Sequence, residues 1–169
     1  ILTNRHVVRS YDIATKEYTV HEQFYVRRYN AETYRKATLV RYAQDSDLAL
    51  LQQEEKAEKY VRLCKNDTLR YGQRVHTIGN GNGYGLAYAQ GFVASPMCNV
   101  LYEAQTIRAV QLDLTFYEGN SGGPLLNDNG ELVGITTFRL RDKQGAIVQG
   151  TGFALPLATV RAFSESENG

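Results

Sequence analysis

Apolar residues along this chain fall into short runs rich in β-branched and aromatic side chains, several of them alternating with polar positions. The runs Glu17–Tyr29, Lys36–Ala43, Asp47–Gln52, Gln73–Gly79, Ala89–Ser95, Arg108–Leu114, Glu131–Leu140 and Gly150–Pro156 are predicted as strands. Gly/Asn/Asp-rich turns such as "NDNGE" and "RDKQG" separate them. Strands at this density, with no helix alternating between them, predict an all-β sandwich or barrel and argue against a parallel α/β sheet.

Two segments read differently. Gln52–Leu63, "QQEEKAEKYVRL", is charged and midway along the chain, which suits a solvated linker with one or two helical turns. Leu157–Ser166 follows Pro156 and spaces Leu157, Val160 and Phe163 along one helical face before a polar tail. No internal repeat or low-complexity tract interrupts the pattern.

Composition narrows the function. The chain has 169 residues, 43% hydrophobic, which suits a single globular unit with one or two modest cores. Nineteen Lys and Arg against 18 Asp and Glu leave a net charge of +1, no electrostatic footprint for nucleic acid or an anionic membrane. No apolar run approaches the roughly 20 residues needed to span a bilayer. The opening "ILTNRHVV" has no basic start before an apolar core, so no secretory leader is expected within this sequence. Cys64 and Cys98 are too few and too far apart for a zinc or dithiol motif and are expected as two partly buried free thiols. "GNGNGYGLAYAQG" (Gly79–Gly91) lacks the third glycine of a dinucleotide loop and the Gly-Lys-Ser/Thr of a phosphate loop. It reads as a turn leading into a strand.

The chemistry-bearing residues lie elsewhere. In "EGNSGGPLLNDNGELVGI", from Glu118, glycines around Ser121 permit a turn in which the Gly119 and Ser121 amides face inward as an anion-binding nest. An ordinary Gly/Ser turn fits the motif equally well. Of three histidines, His21 and His76 fall mid-strand in alternating patterns and read as strand-face residues, whereas His6 follows a break at Thr3-Asn4. Asp47 stands directly before four apolar residues, where a charge needs partners such as an imidazole N–H and backbone amides. A strand-start cap is the alternative, and Asp45 is expected to be exposed.

Together the three occur in the order His6, Asp47, Ser121, with 41 and then 74 residues between positions. That is the chain order of the chymotrypsin-type proteases. "ILTNRHVV", "SDLALL" and "GNSGGPLLNDNGELVGI" resemble the histidine, aspartate and nucleophile motifs of that superfamily, most closely of its HtrA/Deg branch. "LRYGQRVHTIGN" resembles the strand opening the second barrel, and "GTGFALP" the strand closing the specificity pocket. The similarity runs from the first residues to about Phe163.

The resemblance implies one trypsin-like peptidase domain of two antiparallel β-barrels: 1–55 a partial first barrel, 56–70 a linker, 71–156 the second barrel, and 157–169 a helix and tail. It implies a serine endopeptidase in which Ser121 attacks, His6 shuttles the proton, Asp47 orients His6, and the Gly119 and Ser121 amides hold the oxyanion. Thr115, Thr137, Phe138 and Gly152 would line the specificity pocket. Thr115 in place of a carboxylate implies small or medium apolar side chains before the cleaved bond, not Lys or Arg. Activation by an Ile1 ammonium fails because Asn120 is uncharged and Ile1 stands five residues before His6. No cofactor or metal is implied. Polypeptides, unfolded proteins among them, would be the substrates; homo-oligomers and an extracytoplasmic location follow by the same resemblance. Family members carry about two strands before the histidine motif and a C-terminal PDZ module, neither of which is expected in this sequence, and Gly81 stands where proline is usual. A catalytically silent member acting as a peptide-binding or chaperone-like module is the alternative.

Overall fold

The computed structural model describes residues 1–57, 59–66, 68–141, 144 and 146–166. Asp142, Lys143 and Gly145 of the "RDKQG" turn, Glu58 and Asp67 of the linker, and tail residues 167–169 lie outside them. The chain divides into two compact units, Ile1–Tyr60 and Val61–Gly169.

The first unit is an open antiparallel sheet with a separate hairpin. Strands β1 (Leu2–Thr3), β4 (Phe24–Val26), β5 (Arg35–Tyr42) and β6 (Ala49–Gln53) stand in the order β1-β6-β5-β4, while β2 (Arg9–Asp12) pairs only with β3 (Glu17–Val20). Val8, Ala37, Ala49 and Leu51 form its core, with Phe24, Val26, Leu39 and Tyr42 packed against them. The predicted strand Glu17–Tyr29 is two strands in different sheets. His21 lies between them rather than mid-strand; it is exposed, and its N–H donates to the Val8 carbonyl (3.0 Å). The polar run His21–Gln23 offers nothing to bury, so the ladder changes partners there.

The second unit is a closed six-stranded barrel in the order β10-β11-β12-β9-β8-β7. Its strands are β7 (Arg74–Gly79), β8 (Ala87–Tyr102), β9 (Gln105–Asp113), β10 (Pro124–Leu126), β11 (Leu132–Arg141) and β12 (Ile147–Pro156). Fully buried Val75, Val93, Leu112, Leu125 and Leu155 fill it. The predicted Ala89–Ser95 extends to the whole of β8. Register shifts on either side of Ser95 bend that long strand so the sheet can close, and Pro96 sits within the irregular stretch where its missing N–H is tolerated. Strand β10 was not anticipated.

Helix α1 (Leu157–Glu165) forms where the apolar spacing predicted it and buries Leu157, Val160 and Phe163. The expected helical turns in Gln52–Leu63 are absent from its described residues. Gln52 and Gln53 complete β6, Glu54–Ala57 are exposed, and Leu63 bridges Leu132. That run has no apolar face to hold a helix against either unit's core. Cys64 and Cys98 are both free thiols, one buried and one half-buried. Among the described residues no helix is long and apolar enough to cross a membrane.

Candidate active site

In the first unit the candidate base and its carboxylate are in direct contact. His6 lies in a 3-10 turn, Arg5–Val7, directly after β1. Its Nδ1 is 2.7 Å from Asp47 Oδ2, and its backbone N–H donates to Asp47 Oδ1 at 3.0 Å. Asp47 is fully buried, whereas the His6 side chain keeps 32% of its surface exposed. A carboxylate can only accept here, so Nδ1 carries the hydrogen and Nε2 is the ring nitrogen with the basic lone pair. Asp45 is exposed, as expected.

Two residues that sequence reasoning missed hold this pair. Asn4, fully buried, donates from Nδ2 to the Asp47 carbonyl (2.8 Å). Arg5, also buried, donates from Nη1 to the carbonyls of Ala43 (2.8 Å) and Gln44 (2.7 Å). Polar side chains directly before a candidate histidine were the available signal, since both must find partners once buried.

In the second unit Ser121 sits on the loop between β9 and β10. Its hydroxyl donates to the Thr137 carbonyl (2.9 Å). Ahead of it, Asn120 N–H closes a turn onto the Tyr117 carbonyl (3.1 Å), and Gly119 adopts φ +96°. Behind it, Gly122 N–H donates to the Thr136 carbonyl and Thr136 N–H to the Gly123 carbonyl, both at 2.9 Å. The buried Thr136 hydroxyl lies 2.5 Å from the Asn120 carbonyl and 3.1 Å from that of Gly123. Thr136, another residue the motif reading passed over, thus braces the Ser121 loop against β11. Among the described residues the amides of Gly119 and Ser121 have no protein acceptor.

The expected pocket residues also lie in this unit. Thr137 offers its carbonyl to Ser121, and Thr115 is half-buried. Phe138 stacks on Tyr102 (4.9 Å between ring centroids, 15° between planes) and tilts against Phe153 (5.0 Å). Gly152 is buried against the Phe116 ring, so closely that a Cβ there would stand 1.8 Å from it. His76 is on β7 with Nε2 2.7 Å from Asp128 Oδ1 and Nδ1 2.7 Å from the Tyr88 hydroxyl. It is a strand-face residue, as expected.

Comparison with known proteins identifies the family. The trypsin-like peptidase domain family matches residues 1–135. A probable DegP-like periplasmic serine endoprotease of Ectopseudomonas mendocina is 33% identical over 98% of this chain and 32% of its own length. The periplasmic pH-dependent serine endoprotease DegQ of Escherichia coli is 30% identical over 98% of this chain and 34% of its own. Among solved structures, the HtrA-type protease AlgW with a decapeptide superposes with a TM-score of 0.79 at 30% identity, covering 98% of this chain and 47% of that one. The chain therefore spans about a third of the length of these curated relatives. Its architecture, a closed barrel, an open sheet in place of a complete first barrel and a short C-terminal helix, is of the chymotrypsin-like kind. The chain belongs to the trypsin-like peptidase family, and its relatives are HtrA/Deg-type serine proteases.

Proposed function

We propose that this chain is the protease domain of an extracytoplasmic serine endopeptidase of the HtrA kind, with His6, Asp47 and Ser121 as its triad. The observation that carries the reading is the His6–Asp47 pair: a fully buried carboxylate, hydrogen-bonded at both oxygens by one histidine, whose ring it fixes with the hydrogen on Nδ1. Such an arrangement is costly to bury and serves base catalysis directly.

The mechanism follows from the groups. The Ser121 hydroxyl turns from the Thr137 carbonyl, and its Oγ attacks the scissile carbonyl while the proton passes to His6 Nε2. The Gly119 and Ser121 amides, which have no acceptor within the described residues, receive the oxyanion. Collapse of the tetrahedral intermediate breaks the C–N bond, and the leaving amine takes the proton from His6. Water then attacks the acyl-enzyme with His6 again as base. This returns Ser121 to its hydroxyl form and releases the acid.

In the same reading, 1–55 is the partial first barrel, 56–70 the linker, 71–156 the second barrel and 157–169 the helix and tail of one peptidase domain. Thr115, Thr137, Phe138 and Gly152 line a pocket without a carboxylate, favouring small or medium apolar side chains. Polypeptides, unfolded ones among them, are the substrates, and a homo-oligomer is compatible with it. A fluorophosphonate probe tests the core claim. Wild-type protein labels and Ser121→Ala does not; folded wild-type protein that fails to label supports a peptide-binding module instead.

A further inference from the structure

One cation of the barrel is withdrawn from water with little to hold it. Arg139, on β11, keeps only 19% of its side chain exposed, yet its one ion pair is a 3.5 Å contact from Nη2 to Glu118 Oε1. The Glu118 side chain is itself 81% exposed. Among the described residues the Arg139 guanidinium donates no hydrogen bond. A guanidinium carries a fork of N–H donors, and a charge this far from water ordinarily has several of them satisfied.

Its place along β11 points to the partner it lacks. The loop around Ser121 runs back along this strand. Gly122 N–H donates to the Thr136 carbonyl (2.9 Å), the Ser121 hydroxyl to the Thr137 carbonyl (2.9 Å), and Glu118 reaches Arg139. Beyond Thr136 the edge of β11 that faces β10 has no strand partner among the described residues. On the other edge Arg139 pairs with Gly152 of β12, past a bulge that holds Thr137 and Phe138. Those three neighbours are the residues read above as pocket residues. Arg139 therefore flanks the pocket, two residues farther along β11 than the carbonyl that Ser121 touches. At about 3.3 Å per strand residue the offset is roughly 7 Å. A substrate laid along the open edge as an added strand advances at the same rate. With its first residue before the cleaved bond in the pocket, its second or third comes abreast of Arg139.

We propose that Arg139 is a specificity-determining residue whose guanidinium recognises an acidic side chain at the second or third position before the cleaved bond. This rests on the reading of Ser121 as nucleophile and of Thr137 and Gly152 as pocket residues given above. A substrate carboxylate completes a charge-assisted fork that Glu118 only begins, since Glu118 is held by a single long contact and lies in solvent. Glu118 pairs the guanidinium in the free protein and gives way when an acidic chain arrives. Substrates are thereby narrowed to chains with an acid close before a small or medium apolar residue.

The test is a library of internally quenched peptides varied at the three positions before the bond. For wild-type protein, kcat/KM is expected to be about 10- to 100-fold higher with Asp or Glu at the second or third position than with Asn or Gln there. Arg139→Met keeps the stem without the charge and loses that ratio, whereas Arg139→Lys keeps part of it. Glu118→Gln removes the competing carboxylate and raises the ratio. Equal cleavage of acid and amide forms by the wild type overturns the proposal, as does a preference that survives Arg139→Met. A second measurement needs no turnover: Ser121→Ala protein is titrated with fluorescent alanine-based peptides that carry a single Asp, or Asn in its place, at successive positions. The Asp form binds more tightly at one of them, and adding Arg139→Met removes the difference. Equal binding of the Asp and Asn forms at every position overturns the proposal. Absence of Ser121-dependent fluorophosphonate labelling in the wild type would instead count against the peptidase reading, while these titrations still decide this one.

Discussion

His6 binds Asp47 twice, through its own backbone N–H to Oδ1 and through its ring Nδ1 to Oδ2. One residue thereby uses both oxygens of a fully buried carboxylate, so ring orientation and backbone position are set by the same partner. Replacing Asp47 with Asn keeps the size and one acceptor but puts an NH₂ against a hydrogen-bond donor. If the amide oxygen keeps the backbone N–H, the NH₂ faces Nδ1 and drives the hydrogen to Nε2, the wrong tautomer for a base. Turnover of a peptide substrate by Asp47→Asn is expected to fall by about 10⁴-fold with the fold retained. Activity within tenfold of wild type would remove Asp47 from the triad.

Arg5 supports the same pair from beneath. Its guanidinium, buried with the side chain, donates to two successive carbonyls of the turn that presents Asp47. Arg5→Met keeps most of the stem and leaves both carbonyls without that donor. A loss of about 2–3 kcal/mol in chemical denaturation is expected. Arg5→Lys should recover only part of it, because an ammonium lacks the planar fork that spans two acceptors. A Met variant as stable as wild type would show that water replaces the guanidinium at no cost.

Much of this was legible in the sequence because several constraints agreed. The apolar spacing of Leu157, Val160 and Phe163 produced the helix where expected. The strands with a buried face, such as Arg74–Gly79, emerged within a residue or two. What escaped reading depends on backbone geometry or on distant partners. Strand β8 runs seven residues beyond its predicted end, through Pro96 to a two-residue turn at Glu103 and Ala104 (φ 47° and 64°). Neither is the Gly or Asn that normally signals such a turn. Strands β1 and β10 are two and three residues long, too short to show a period. At the site, residue types pointed to His6 and Asp47, but Asn4, Arg5 and Thr136 act through hydrogen bonds to the backbone of residues far away in sequence.

An electrostatic prediction concerns the barrel surface. The Asp128 carboxyl titrates at about 2, below its ordinary 3.8, because Arg74 first and His76 second hydrogen-bond its charged form. A carboxylate depressed in the folded state contributes stability above its unfolded value near 3.8 and loses it as pH falls through about 2. Wild-type stability should therefore fall across that window, and Asp128→Asn should flatten the dependence there. Carbon-13 titration of the Asp128 carboxyl checks the cause: its midpoint should rise toward 3.8 in Arg74→Ala. A midpoint unmoved by that change would assign the shift elsewhere.

The last prediction concerns Gly152 and Phe116, which share one space in the candidate specificity pocket. Phe116 is 6% exposed, and its ring fills the place a side chain on residue 152 would occupy. Gly152→Ala must therefore displace the ring, and overpacking of this kind typically costs about 1–3 kcal/mol. Phe116→Ala leaves a void instead and should cost about 3–5 kcal/mol. Because the two changes act on one volume in opposite senses, the double variant should be more stable than the sum of the single effects. A coupling of at least about 1 kcal/mol in a double-mutant cycle is expected. The same cycle reads specificity: if the Phe116 ring limits the pocket's depth, Phe116→Ala should shift cleavage toward larger apolar side chains, and adding Gly152→Ala should shift it back. Additive stabilities with an unchanged cleavage profile would mean that the ring packs against Gly152 without shaping what the pocket accepts.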